Sequence, residues 1–234
     1  MRFATPLVRG RLVQRYKRFL ADVILDDGRP VTAHCANPGA MLGLKDPGVT
    51  VWLEHVADPR RALAWSWRLV ELPDGHLAGI DTSLPNRIVA EALAEDRIPG
   101  LTGYQRIRPE VRYATKSRVD FLLSAEGRPD AYVEVKNVHL RRTGHLAEFP
   151  DSVTARGARH LADLAAMVAE GHRAVMLYVV QRTDCDRFGV SGDLDPAYAA
   201  AYAAARAQGV EVLVHTTRID RLGITLDQPL PALA

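Results

Sequence analysis

Apolar and polar residues alternate with a period of two through the first third of the chain, and a 3.6-residue period enters only later. Between residues 7 and 75 the apolar runs are short and are broken by Asp26-Asp27-Gly28, Asn37-Pro38-Gly39 and Pro73-Asp74-Gly75, all turn sequences. The pattern predicts extended segments over 12–25, 29–36, 48–57 and 65–72 with no long helix among them. About five short strands of this kind predict a small β-barrel of the oligonucleotide-binding (OB) type over residues 1–80. From residue 81 the pattern changes. Ser83 as cap, Pro85 in the first turn and the stripe Ile88, Val89, Ala92 and Leu93 predict a helix closed by Pro99-Gly100. A strand is expected near 104–113, then a hairpin of 119–123 with 131–136. A second helix starts from Ser152 or Thr154, turns Leu161, Leu164, Ala165 and Val168 inward, and ends near Gly171. The unbroken apolar run Ala174 to Val180 reads as a strand covered on both faces. An alanine-rich helix over 196–207 and a strand over 210–215 complete an α/β domain spanning 81–234.

The hairpin carries a conflict. Its strands are rich in Val, Phe, Leu and Tyr, yet Asp120, Glu134 and Lys136 interrupt them. Side-chain alternation puts Glu134 and Lys136 on one face. If Asp120 pairs across from Glu134, their Cβ atoms lie roughly 5 Å apart. Two carboxylates that close repel unless a divalent cation such as Mg2+ sits between them, with Lys136 beside it to orient a water or stabilise negative charge. A solvated sheet face on which Lys136 neutralises one acid is the alternative.

Charge adds a second candidate region. The net charge of +2 is small, but the first 21 residues hold six cationic side chains and no acid. Within them QRYKRF interleaves Arg15, Lys17 and Arg18 with Tyr16 and Phe19, the pattern of a groove that stacks bases and tracks phosphates. The same alternation also describes core aromatics with a wet cationic face. Arg156 and His160 are i, i+4 neighbours near a helix start, where a phosphate is well placed, although a solvated basic face with Arg159 fits equally. Gln181 either points into the site or caps the sheet, and His34 and Asn37 either line a groove or form a turn. Two distant cysteines, Cys35 and Cys185, argue against a zinc site or disulfide framework. With no signal-peptide pattern and no apolar run of membrane length, a cytoplasmic protein without membrane contact is expected.

The order helix, three strands, helix, strand, with VDF on the second strand and EVK on the third, resembles the PD-(D/E)XK nuclease superfamily. That resemblance implies a nuclease-like C-terminal domain in which Asp120 and Glu134 bind Mg2+ or Mn2+, Lys136 positions the attacking water, and Glu91 on the first helix is a further ligand or base. Val119 stands where the superfamily's name-giving Pro would be. Only three residues separate Pro129-Asp130 from Glu134, too few for a strand pair, and it is assigned to the loop. The whole chain is also similar to the sugar fermentation stimulation protein A (SfsA) family. The similarity runs through LVQRYKRFLADV at 12–23, HCANPGAM at 34–41, NRIVAEAL at 86–93, RVDFLL at 118–123, YVEVKNVHL at 132–140, FPDSVTARGARHL at 149–161 and EGHRAV at 170–175. It implies an OB-like barrel joined to a nuclease-like domain, with DNA as partner and single strands or RNA as alternatives. Two functions follow: a metal-dependent nuclease, or a non-catalytic DNA-binding regulator of sugar metabolism that keeps the scaffold. A sugar-metabolising enzyme has no phosphate loop, dinucleotide fingerprint or nucleophile elbow to support it.

Overall fold

The computed structural model describes residues 1–113 and 117–233. Strands β1 (Leu7–Tyr16), β2 (Leu20–Leu25), β3 (Pro30–His34), β4 (Thr50–His55) and β5 (Trp65–Glu71) pair in the order β3-β2-β1-β4-β5, and a parallel β3–β5 contact closes them into a barrel. A short β6 (Leu77–Gly79) extends β5 antiparallel. Alternate residues fill the interior, among them Leu12, Val23, Leu25, Val51, Leu53 and Trp67, all buried. The Trp67 indole N–H donates to the Leu69 carbonyl at 3.0 Å, so its polar handle is satisfied inside the core.

The extended segment expected over 12–25 is a hairpin. Lys17 and Arg18 both adopt left-handed backbone, with φ of 48° and 62°, and turn the chain between β1 and β2. Neither residue type favours that conformation, so QRYKRF straddles a hairpin tip.

The second half begins with α1 (Leu84–Ala94) and continues through β7 (Arg106–Arg112), β8 (Arg118–Ser124), β9 (Ala131–Val138), β10 (Leu146–Phe149), α2 (Ala155–Ala169), β11 (Arg173–Val180), β12 (Arg187–Val190), α3 (Pro196–Ala207), β13 (Glu211–Ile219) and β14 (Ile224–Pro229). Among the described residues, a six-stranded mixed sheet runs β14-β13-β11-β9-β8-β7, parallel through β9, β11 and β13 and antiparallel at both edges. Strand β11 is buried from Ala174 to Val180, as an unbroken apolar run requires when helices cover both faces. Leu84, Ile88, Val89 and Ala92 of α1 pack on the face carrying Val133, Val175 and Leu177. Leu161 and Leu164 of α2 and Tyr198 and Tyr202 of α3 pack on the face carrying Val138, Met176 and Tyr178. β10 and β12 form a separate parallel pair.

Thr154 caps α2 by accepting from Gly157 N at 3.1 Å, and Asp195 caps α3 by accepting from Tyr198 N at 2.9 Å. Ser83 does not cap α1. Its N–H and hydroxyl both donate to Asp81 Oδ1, at 2.9 and 2.6 Å, because the buried carboxylate two residues upstream is the stronger acceptor.

Met1, Trp52 and Leu69 belong to the same apolar cluster as Leu84, Ile88, Val133, Val175 and Ile224, so the core continues from the barrel into the mixed sheet. No described helix is long and apolar enough to cross a membrane.

Candidate functional site

The antiparallel register of β8 on β9 pairs Leu123 with Ala131, Leu122 with Tyr132 and Phe121 with Val133. The ladder ends at that last pair, and Asp120, the next residue of β8, lies near enough to Glu134 for the two charges to act on one another. There the carboxylate replaces the ladder: Val135 N–H donates to Asp120 Oδ2 at 2.7 Å, while Asn86 Nδ2, from the first turn of α1, donates to Oδ1 at 2.7 Å. Both oxygens are held, and each keeps a lone pair facing elsewhere.

Glu134 is 3% exposed. Its Oε1 accepts from Lys136 Nζ at 2.7 Å and contacts His160 Nδ1, and its Oε2 is buried with no hydrogen-bond partner among the described residues. Arg156 Nε donates to His160 Nε2 at 3.2 Å. A guanidinium can only donate, so Nε2 is an acceptor, and the proton of the neutral ring lies on Nδ1, pointed at Glu134. The ring thus fixes which oxygen of Glu134 is occupied and which is open.

Burial, followed by the charge on Glu134, raises the Asp120 carboxyl above its ordinary value. Burial also pushes Glu134 upward, but the His160 hydrogen bond and the Lys136 charge outweigh it and hold that carboxyl below its ordinary value. The buried Tyr113 hydroxyl has no partner among the described residues, and burial together with Glu134, Asp163 and Asp120 pushes its titration upward. Glu134 Oε2 and the Tyr113 hydroxyl are thus two buried polar atoms without partners, and the Asp120 and Glu134 charges act on one another and on that hydroxyl. Among the described residues no group of three or more His, Cys, Asp and Glu side chains is placed to hold a metal ion, so any cation here would take its other ligands from water or substrate.

Glu91, expected in this constellation, lies outside it. Its side chain is 48% exposed and pairs with the Met1 ammonium at 2.5 Å. It stands five residues beyond Asn86, about 140° around the helix, so a helix that aims Asn86 at Asp120 turns Glu91 away. Asn86 supplies the contact from α1. A neutral amide in a helix's first turn gives no sequence signal to distinguish it from a surface residue. Arg156 and His160, read as a phosphate site, instead form the relay to Glu134.

The barrel residues divide. Arg15 spends its guanidinium on main-chain carbonyls of Arg18, Asn37 and Gly39, at 3.0, 2.7 and 3.1 Å, and the Tyr16 hydroxyl donates to Asp22 Oδ1 at 3.2 Å. Both serve the fold of the barrel rather than an open groove. Lys17 and Arg18 are exposed at the hairpin tip, beside Phe19, which is 46% exposed and stacks on His34 with centroids 6.3 Å apart. Arg15→Ala is therefore expected to cost about 1 kcal/mol in urea unfolding, since it removes hydrogen bonds to the partly buried carbonyls of Asn37 and Gly39, whereas Lys17→Ala stays within about 0.5 kcal/mol.

A cavity of about 400 Å³ lies between the Asn37-Pro38-Gly39 turn of the barrel and residues 149–154, with Lys136, Asn137 and His139 in its wall. The two sides meet closely: a Cβ on Gly39 would lie 2.6 Å from Asp151 Oδ2, and Met41 N–H donates to that same oxygen at 3.3 Å.

Residues 13–80 match the family described as the SfsA N-terminal OB domain, and residues 83–223 match the sugar fermentation stimulation protein RE domain. Sugar fermentation stimulation protein homologs from Jannaschia sp. and Dinoroseobacter shibae are each 63% identical over 232 residues, covering 99% of this chain and 96% and 95% of theirs. The homolog from Ruegeria pomeroyi is 61% identical over 226 residues, 97% of this chain and 98% of its own. The structure of Pyrococcus furiosus SfsA in complex with Ca2+ superposes with a TM-score of 0.89 at 25% identity, over 100% of this chain and 98% of that one.

Proposed function

The chain belongs to the sugar fermentation stimulation protein family, and on that footing we propose that it is a cytoplasmic DNA-binding protein with a divalent-metal-dependent phosphodiesterase site on a PD-(D/E)XK nuclease-like scaffold. The observation that carries this reading is the buried, unpartnered Oε2 of Glu134, a residue whose charge acts on Asp120 and which lies two residues before Lys136. A buried carboxylate oxygen left without a partner is costly unless a ligand completes it. Asp120 and Glu134 are the residues that would hold Mg2+ or Mn2+, and the Ca2+ complex of Pyrococcus furiosus SfsA supports a hard, oxygen-seeking cation here. When bound, such an ion supplies Lewis acidity and charge neutralisation toward a phosphodiester.

The chain's own groups do the rest. Asn86 and the Val135 N–H orient Asp120. His160, held by Arg156, orients Glu134. The Lys136 ammonium, largely buried, stabilises negative charge developing on phosphate oxygens and orients the water that attacks. Lys17 and Arg18 at the hairpin tip, with the Phe19 and His34 rings, provide cations and stacking faces for a nucleic-acid strand.

The test is incubation with labelled single-stranded and duplex DNA, and with RNA, in Mn2+. Metal-dependent products are expected from the native protein, with a rate at least about 100-fold lower for Lys136→Ala. Cleavage unaltered by that substitution would overturn the site. One observation favours a non-catalytic DNA-binding regulator of sugar metabolism: the Lys136 ammonium is committed to Glu134 at 2.7 Å. Salt-dependent binding without turnover under Mg2+ or Mn2+ selects that reading.

A further inference from the structure

The cavity between the barrel and the 149–154 segment has a recognition element that the phosphodiesterase site does not use. Gln181 Nε2 donates to Asn137 Oδ1 at 2.6 Å and also lies 3.4 Å from the Asp81 carbonyl, which sets both amide orientations. Asn137 must then present Nδ2 to His139 Nδ1, 2.8 Å away. Because Nδ1 accepts, the neutral His139 ring carries its proton on Nε2. His139 is 5% exposed, and its Nε2 has no hydrogen-bond partner among the described residues. The nearest acceptor, Asp151 Oδ2, is 3.4 Å away, an ion-pair separation but too long for a good hydrogen bond from a neutral ring. The cavity wall therefore holds a fixed N–H donor beside a fixed carboxylate acceptor, the two imperfectly satisfied by each other.

We propose that this cavity receives a single unstacked nucleobase, with His139 Nε2–H donating to a base acceptor and Asp151 accepting from the neighbouring base N–H. This rests on the nucleic-acid reading of the protein. Nucleobases present a donor and an acceptor side by side on one edge, and enzymes that act on them read that edge in a pocket. A phosphate fits poorly there, because the Asp151 carboxylate repels it. Pro38 and Pro150 line the cavity, and Val153, 75% exposed, stands at its margin, so apolar surface is available for the faces of a flat ring. Lys136 is common to this wall and to the Asp120–Glu134 site, so a strand whose phosphate lies at the carboxylates has its base within reach of the cavity.

The test uses the full chain and a single-stranded DNA oligonucleotide carrying one 2-aminopurine, in Ca2+, read by both anisotropy and 2-aminopurine emission. The native protein is expected to raise the emission as the base leaves the stack. His139→Leu abolishes that rise and weakens binding by about tenfold, while His139→Gln, which keeps a donor at the same reach, restores it. Asp151→Asn, whose amide keeps an oxygen acceptor for the Met41 N–H, diminishes the rise. Circular dichroism and Mn2+ binding identify any variant that has failed to fold, and in that case the His139→Gln and Asp151→Asn pair decides. Emission that rises equally in native protein, His139→Leu and Asp151→Asn overturns the pocket while the nucleic-acid reading stands. An absence of anisotropy change in the native protein overturns both.

Discussion

Asp120→Asn is expected to make the protein more stable and, at the same time, a much weaker binder of Mn2+. The Asp120 carboxyl is raised by burial and by the Glu134 charge, so between its unfolded value, near 3.8, and its higher folded value the native state binds more protons than the unfolded chain. Stability therefore falls as pH rises through the folded value, and at neutral pH the full cost of the ionised form is present. Asparagine removes that cost, keeps an oxygen for Val135 N–H, and meets an Asn86 amide that can rotate to present its own oxygen. A gain of about 0.5–2 kcal/mol is expected, an increase of a few degrees in Tm. Mn2+ titration followed by electron paramagnetic resonance should show affinity reduced by at least about 100-fold, since one of two anionic ligands is lost. A variant that is less stable than the native protein at pH 7, or that binds Mn2+ as well, would contradict the site.

His160→Ala should act in the opposite direction. In the native protein Glu134 is held below its ordinary value, so it contributes stability that is present above the unfolded value of about 4.5 and is lost as pH falls through the folded one. Without the ring, burial loses its main counterweight and the carboxyl moves upward. Loss of a charge-assisted hydrogen bond in a buried site costs about 1.5–3 kcal/mol at neutral pH. Mn2+ binding, which requires the carboxylate, should acquire an acid limb at higher pH than in the native protein. His160→Asn, which keeps a donor facing Glu134, should return the limb toward its native position. An identical pH profile in all three proteins would show that the ring does not orient Glu134.

The carboxylates and Lys136 were legible because ionisable side chains interrupting apolar strands violate the pattern that surrounds them. The alternation also put Glu134 and Lys136 on one face, where Lys136 Nζ and Glu134 Oε1 meet at 2.7 Å, and β11, α2 and α3 were visible in the same way from continuous or periodic apolar positions with caps at the starts of the two helices. Other features left no such mark. The hairpin tip at Lys17 and Arg18 carries no Gly, Asn or Pro, so period-two alternation ran on through it. Strands β10 and β12 have four residues each, too short for any period to emerge. The rotation of α1 about its axis decides between Asn86 and Glu91, and the helical stripe alone leaves both at its border. The relay through Arg156 and His160 depends on how α2 lies over β9, a tertiary relation with no local signature.

The cluster in which Trp52 and Leu69 join Leu84, Ile88, Val133 and Val175 also limits how such a protein can be inherited. A lobe that closes on its own interior can be shuffled between genes as a cassette. Here a cut between the lobes would carry an unfinished apolar surface into whichever product it made, and an unrelated partner would have to supply complementary side chains to cover it. Barrel and sheet thus share one interior, and a substitution in either half's part of it is felt by the other.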